Sequence, residues 1–331
     1  MTEQQTLSHT DAAQLAARVE AEVGKVIVGQ RDLIRAVMLC LLAEGHALVE
    51  GVPGLGKTEL IKALGSACGL PFSRVQFTAD LMPADIVGTQ IIEESTSGAR
   101  SFVFRPGPIF ASFVLADEVN RATPKTQAAL LEAMAERTVT TGGSTRALPR
   151  PFFVMATQNP VEMDGTYPLP EAQLDRFLLK AVVPYPSDAD LRGILDRTTA
   201  GSLPTAEAVT NPEELRALLS LTRQVPIASH LLDHAVALVR ATQPQSDGAS
   251  TLVRNSVRFG ASPRGAQALV LAAKANALIE GRPNVSVQDI RFVAPYVLRH
   301  RLILNYAATA SGTADVDVVA EVLGSVPIGS E

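Results

Sequence analysis

Residues 51 to 58 read Gly-Val-Pro-Gly-Leu-Gly-Lys-Thr, preceded by the apolar run Ala47-Leu48-Val49 and followed from Glu59 by a helix-forming stretch. The pattern G-x-x-x-x-G-K-[ST], set between a strand and a helix, constrains the fold more than any other feature of the chain. Glycines let successive backbone N–H groups turn inward, the helix behind adds the positive end of its dipole, and Lys57 supplies a mobile ammonium. Together they make a cradle for a chain of phosphates, with the Thr58 hydroxyl placed to hold Mg2+.

The rest of the pattern agrees with a parallel sheet. Helical spacing covers Asp11 to Val23 and, after Val28-Gly29-Gln30, Asp32 to Ala43, with Leu33, Val37 and Leu41 on one face. Strands are expected at Ala47–Glu50, Arg74–Phe77, Phe113–Ala116, Phe152–Ala156 and Leu178–Val183, separated by helices that end near Cys68 and span Pro124 to Glu136. Such strands, nearly all apolar and alternating with helices, point to a sheet covered on both faces. Two hairpins interrupt the alternation. Thr89–Ile92 and Ser101–Phe104 flank Ser-Thr-Ser-Gly, and Thr138–Thr141 and Thr145–Leu148 flank Gly142-Gly143. From Tyr185-Pro186-Ser187 onward the strand signal disappears, and helical segments follow at about 187–199, 211–224, 229–242, 263–280 and 287–300. The expected organisation is an α/β nucleotide-binding domain over 1–185, with hairpin insertions near 88–105 and 138–148, and an all-α lid over 186–331.

Composition narrows the function classes. Among 331 residues, 29 basic and 34 acidic side chains are intermixed, giving a net charge of −5, and no Lys/Arg run of the kind that neutralises a nucleic-acid backbone occurs. Cys40 and Cys68 sit in apolar helical surroundings without a C-x-x-C pair and read as core fillers in a reducing compartment. No apolar run approaches a membrane span, and Met1–Thr10 lacks the basic and apolar regions of a signal peptide, so no membrane contact and a cytoplasmic location are expected.

Further residues suggest chemistry on the phosphates. Phe113–Ala116 delivers Asp117 and Glu118 at the strand end that is the ligand-binding edge of a parallel sheet. Asp117 suits Mg2+ and Glu118 an attacking water, although such a pair could also merely cap the next helix. Asn159, after Ala156-Thr157-Gln158, could hydrogen-bond that water, or Asn-Pro could be an ordinary turn. Arg176 suits the phosphate of a neighbouring subunit, with a local salt bridge to Asp175 or Glu171 as the rival. Ser262-Pro263 begins a helix with Ser as cap and puts Arg264 in its first turn, an unfavourable end for a cation unless an anion intervenes. His230 and His234 have metal-pair spacing but no third ligand, and read as structural.

Taken together these residues resemble an AAA+ ATPase, and within that superfamily the MoxR family. Gly51–Thr58 is similar to Walker A, Leu115–Arg121 to Walker B, Ala156–Pro160 to sensor 1, Tyr167–Phe177 to the arginine-finger segment, and Ala261–Arg264 to sensor 2. Phe104–Phe110 and the two hairpins resemble the family's insertions. The resemblance spans roughly residues 25 to 325. It implies a three-layer P-loop core with a helical lid and ATP with Mg2+ as ligands. Lys57, Glu118, Asn159 and Arg176 would be catalytic, and Thr58 and Asp117 would hold the metal. Nucleotide contacts would come from Gly51, Val52, Pro53, Gly54, Leu55, Gly56, Lys57, Thr58, Glu59, Val28, Gln30 and Arg264. It further implies a homo-oligomeric ring, a hexamer, whose lid closes on nucleotide through Arg264 and which remodels client proteins, often with a von Willebrand factor A domain partner. The rival function is a nucleic-acid motor, for which the Thr140–Arg146 hairpin offers one arginine and no aromatic platform. A small-molecule kinase would use Lys57 but leave Asn159, Arg176 and the helical domain without a role.

Overall fold

The computed structural model describes residues 7–94, 100–160, 165–199, 201 and 203–328. Helices α1 (His9–Val26) and α2 (Arg31–Leu42) lead into β1 (Ala47–Glu50) and α3 (Lys57–Ala67). The chain continues through β2 (Phe72–Gln76), the short α4 (Pro83–Val87), the hairpin β3 (Gly88–Glu94) and β4 (Arg100–Pro106), then β5 (Phe113–Asp117) and α5 (Pro124–Glu136). A second hairpin, β6 (Thr138–Thr141) and β7 (Ser144–Ala147), precedes β8 (Phe153–Gln158), the single turn α6 (Glu171–Leu174) and β9 (Leu179–Val182).

Five of these strands form one parallel sheet in the order β2-β5-β8-β1-β9. The central strands are buried along their length, which is why their sequences are apolar rather than alternating. Because all five run the same way, every loop that follows a strand opens on one edge of the sheet and every loop that precedes one opens on the other. The expected strand at Arg74–Phe77 begins two residues earlier, at Phe72, where Phe72 pairs with Phe113. Both hairpins form as expected; the Ser95–Gly98 turn of the first lies outside the described residues. Near its base the first hairpin rests on the second. The Arg146 guanidinium stacks on the Phe104 ring at 3.9 Å, and Phe104 meets Phe110 edge to face.

Among the described residues eight further α-helices follow: α7 (Asp188–Thr199), α8 (Pro212–Gln224), α9 (Ser229–Ala241), α10 (Thr251–Ser256), α11 (Pro263–Ile279), α12 (Val287–Leu298), α13 (Tyr306–Ala310) and α14 (Asp315–Ser325). The lid is not wholly helical. The short strands β10 (Val257–Phe259) and β11 (Ile303–Leu304) pair antiparallel across it, too brief to leave a periodic signal. α11 is alanine-rich and buried on nearly every side, as expected of a central helix. It packs on α1 and α2 while α12 packs on the edge strand β9, so one continuous apolar cluster runs from Ala12 to Val326. Cys40 and Cys68 are buried in that cluster, and burial pushes both thiols up, Cys68 to about 12.

Candidate functional site

β1 hands over to the glycine loop at Gly51, whose N–H donates to the Gln158 carbonyl of β8 at 3.2 Å. Gly54 and Gly56 adopt φ of 84° and 77°, a left-handed region that side chains resist, and the resulting turn delivers Lys57 into the first turn of α3. Lys57 is only 9% exposed, and its Nζ bends back to donate to the Gly51 carbonyl at 2.5 Å. Burial holds its ammonium below the ordinary lysine range, while the carboxylates of Asp117, Glu118 and Glu50 pull it the other way. Each of these carboxylates also pairs with a second cation, Asp117 with Arg74, Glu118 with Arg121 and Glu50 with Lys180. The half-buried Thr58 hydroxyl and the Asp117 carboxylate add hard oxygen donors, so the residues present fit Mg2+. Leu55 is buried, Val52 is half-buried, and Pro53 and Glu59 face solvent, Glu59 in a loose surface pair with Lys62.

Asp117 ends β5 with both carboxylate oxygens engaged. Oδ1 accepts from the Thr157 hydroxyl at 2.6 Å, and Oδ2 accepts from Arg74 Nη2 and Nε at 2.6 and 3.1 Å. The same Thr157 oxygen accepts the Glu118 N–H at 2.8 Å, fastening the acidic turn to β8. Glu118 turns out of the strand in a left-handed conformation (φ 56°), and its Oε2 accepts from Gln76 Nε2 at 2.7 Å and Arg121 Nη1 at 2.8 Å. Glu118 holds the N-cap position of the 3-10 turn Val119–Arg121 but its side chain makes no cap bond there, and Thr123 occupies the cap of α5. Asn159, 5% exposed, follows β8 on the same edge, between the ends of β5 and β1.

Val28 and Gln30 join the loop from the N-terminal side. Gln30, also left-handed at φ 44°, donates from Nε2 to the Leu55 carbonyl at 2.9 Å. α7 covers this strip: Val28 lies against Gly193, and the Asp190 carboxylate sits so close to Gly29 that a Cβ there would meet it at 2.5 Å.

The two arginines lie elsewhere. Leu178 N–H donates to the His46 carbonyl, just before β1 begins, so the Asp175–Leu178 segment lies at the sheet edge opposite the phosphate loop. Five residues of extended chain separate the two levels, roughly 16 Å. Arg176 donates from Nη1 to the Leu131 carbonyl at 2.8 Å. Asp175 is not its salt-bridge partner: Oδ1 accepts from Arg301 Nε at 2.8 Å and Oδ2 from the Ser262 hydroxyl at 2.7 Å. Ser262 also caps α11, accepting the Arg264 N–H at 3.1 Å, as the sequence predicts. Arg264 therefore stands with Arg176, not with Lys57 of its own chain. Burial and the nearby Arg264 charge hold Arg301 below its ordinary range, opposed by Asp175. Gln76, Arg74, Thr157 and Arg301 escaped the sequence reading. Thr157 lies inside the Ala156–Pro160 stretch, and a polar Gln at the end of a strand is the one sequence signal for Gln76. Of the histidine pair, His234 is buried against the Pro327 carbonyl at 3.2 Å.

Comparison with known proteins agrees with this geometry. Residues 46–179 match the model of the ATPase family associated with various cellular activities (AAA), and residues 249–322 match the AAA lid domain. Chaperone MoxR1 of Mycobacterium tuberculosis is 44% identical over 93% of this chain and 80% of its own length. YeaC of Bacillus subtilis, an uncharacterised protein, is 42% identical over 96% of each. The crystal structure of a candidate ATPase from Cytophaga hutchinsonii superposes with a TM-score of 0.91 at 38% identity, covering 97% of both chains. With the AAA and AAA lid models matched and the MoxR-named relative 44% identical over 93% of the chain, the chain belongs to the MoxR family of AAA+ ATPases and hydrolyses ATP.

Proposed function

We propose that the chain works as a homo-oligomeric ring, a hexamer, in which each ATP is cleaved between two copies and the resulting motion remodels client proteins. The single observation that carries this reading is the division of the site. Lys57, Asp117, Glu118 and Asn159 gather on one sheet edge, whereas Arg176 and Arg264 stand at the other. One chain cannot bring both sets to one triphosphate, but two copies packed edge to edge can. Residues 1–185 then serve as the nucleotide-binding domain and 186–331 as the lid.

Within the site the loop N–H groups and Lys57 hold the β and γ phosphates. Mg2+, held by Thr58 and Asp117, would neutralise charge on the phosphate oxygens. Glu118 accepts the proton of the attacking water, Asn159 holds that water or a γ oxygen, and Arg176 of the adjoining copy meets the charge that grows on the transferred group. Val28 and Gln30, pinned to the loop and covered by α7, border the nucleoside. We assign Arg264 to the same neighbouring nucleotide as Arg176, because its helix cap is bonded to the finger segment.

A chaperone-like role is supported by the likeness to a protein named as a chaperone. The client and any von Willebrand factor A partner would bind the ring as separate polypeptides. The nucleic-acid alternative is less favoured, since the hairpin arginine Arg146 is already stacked on Phe104 and the net charge is −5. The test is a mixture of two variants. Arg176→Ala alone should be nearly inactive, yet regain turnover when mixed with Glu118→Gln, since one interface in such a ring pairs an intact base with an intact finger. No recovery between subunits shown to exchange would mean that Arg176 acts within its own chain.

A further inference from the structure

Arg176 is flanked by backbone that a single buried guanidinium holds. Arg301, 125 residues later and 7% exposed, donates from Nη2 to the carbonyls of Asp175 at 3.3 Å and Phe177 at 2.7 Å, from Nη1 to Leu178 at 3.1 Å, and from Nε to the Asp175 carboxylate. The remaining Asp175 oxygen takes the Ser262 hydroxyl, and Ser262 is the cap of the helix that carries Arg264. Carbonyls on both sides of Arg176 and the first turn of α11 are thus fastened to one ion pair, shielded from water and correspondingly stiff. A surface salt bridge would hold this segment loosely; this one fixes the backbone on both sides of Arg176.

We infer that Asp175 is a positioning residue that locks Arg176 and Arg264 into one clamp, so that the orientation of the finger and the position of the lid change together. The inference rests on the proposed reading of Arg176 as a finger acting on the neighbouring copy. Its consequence is directional. A lid displaced in one subunit carries the Ser262 and Arg301 contacts with it, and the nucleotide that feels the displacement is the neighbour's. Hydrolysis would therefore pass round the ring through the lid rather than through the sheet.

Two substitutions at Ser262 separate this role from helix capping. Glycine caps a helix nearly as well as serine, whereas it lacks the hydroxyl that reaches Asp175; threonine supplies both. In the full-length chain, Ser262→Gly should lower kcat about tenfold, a larger effect than any rise in KM for ATP, because the contact orients Arg176 for the neighbour's transition state while the Arg264 backbone stays in its helix. Ser262→Thr should turn over several-fold faster than Ser262→Gly. Mixing Ser262→Gly with Glu118→Gln subunits should restore activity, as expected for Arg176→Ala. Equal kcat for Ser262→Gly and Ser262→Thr would overturn the inference, as would a Ser262→Gly defect that is not restored in mixtures where Arg176→Ala is. If Arg176→Ala itself is not restored, the shared site fails first, and the clamp falls with it.

Discussion

Lys57→Met separates the binding role of the ammonium from any role as a strut. Methionine keeps most of the aliphatic stem and removes the charge. A hydrogen bond to a charged group contributes about 1.5–3 kcal/mol, so losing the Lys57 contact to the triphosphate should weaken ATP binding by roughly 10- to 150-fold. The effect on the empty protein is different. Its Nζ donates to the Gly51 carbonyl at 2.5 Å, and losing a bond from this charged donor costs about 1.5–3 kcal/mol. Against that, burial disfavours the ammonium, as its lowered proton affinity records, and the substitution relieves that penalty. These two effects oppose each other, so the nucleotide-free midpoint of thermal unfolding should move by only a few degrees. The pH dependence follows with the same sign. Since the folded-state pKa lies below the ordinary value of 10.5, the unfolded chain binds more protons between the two, and parent stability gains a contribution as pH rises through that window; Lys57→Met lacks it. Titration calorimetry with Mg-ATP and thermal scans without nucleotide test both halves. Unchanged affinity combined with a large fall in the unfolding midpoint would refute the reasoning, because Lys57 would then be a structural tie to Gly51 and not a phosphate ligand.

Other expectations concern the acidic turn and the core. Gln76→Leu removes one of the two donors that hold the Glu118 carboxylate and should raise basal ATP turnover several-fold. Steady-state phosphate release measures it, and a rate equal to or below the parent's would show that the Gln76 contact does not restrain Glu118. His46 is buried, donates from Nε2 to the Met134 carbonyl, accepts the Val154 N–H at Nδ1, and is pushed by burial from 6.5 to about 4. The unfolded chain therefore binds the extra proton between these values, and stability should fall as pH drops from 6.5 toward 4, by up to about 3 kcal/mol from this one group. Urea unfolding at pH 4.5 and 7 should show a shallower pH dependence in His46→Gln than in the parent; equal slopes would assign the acid sensitivity elsewhere.

Local pattern alone determined the phosphate loop, the acidic strand end at Asp117-Glu118, the five core strands and the serine cap at Ser262. Each is written within a few consecutive residues whose backbone preference and apolar period agree with the final fold, so no distant contact was needed to read them. The resemblance to the MoxR family rested on those same short stretches. Tertiary structure decided what depends on partners far apart in the chain. That Asp175 pairs with Arg301, not Arg176, is a matter of residues 126 apart meeting under a helical lid. Packing α11 on α1 and α2 draws Ser262 to the far sheet edge and takes Arg264 with it, away from the Lys57 of its own chain. Likewise Gln76 reaches Glu118 only because β2 and β5 lie side by side in register. A parallel sheet separates strand ends from strand beginnings by its own length, and that geometric fact, invisible in any window of sequence, is what sets Lys57, Asp117 and Glu118 apart from Arg176 and Arg264 within one chain.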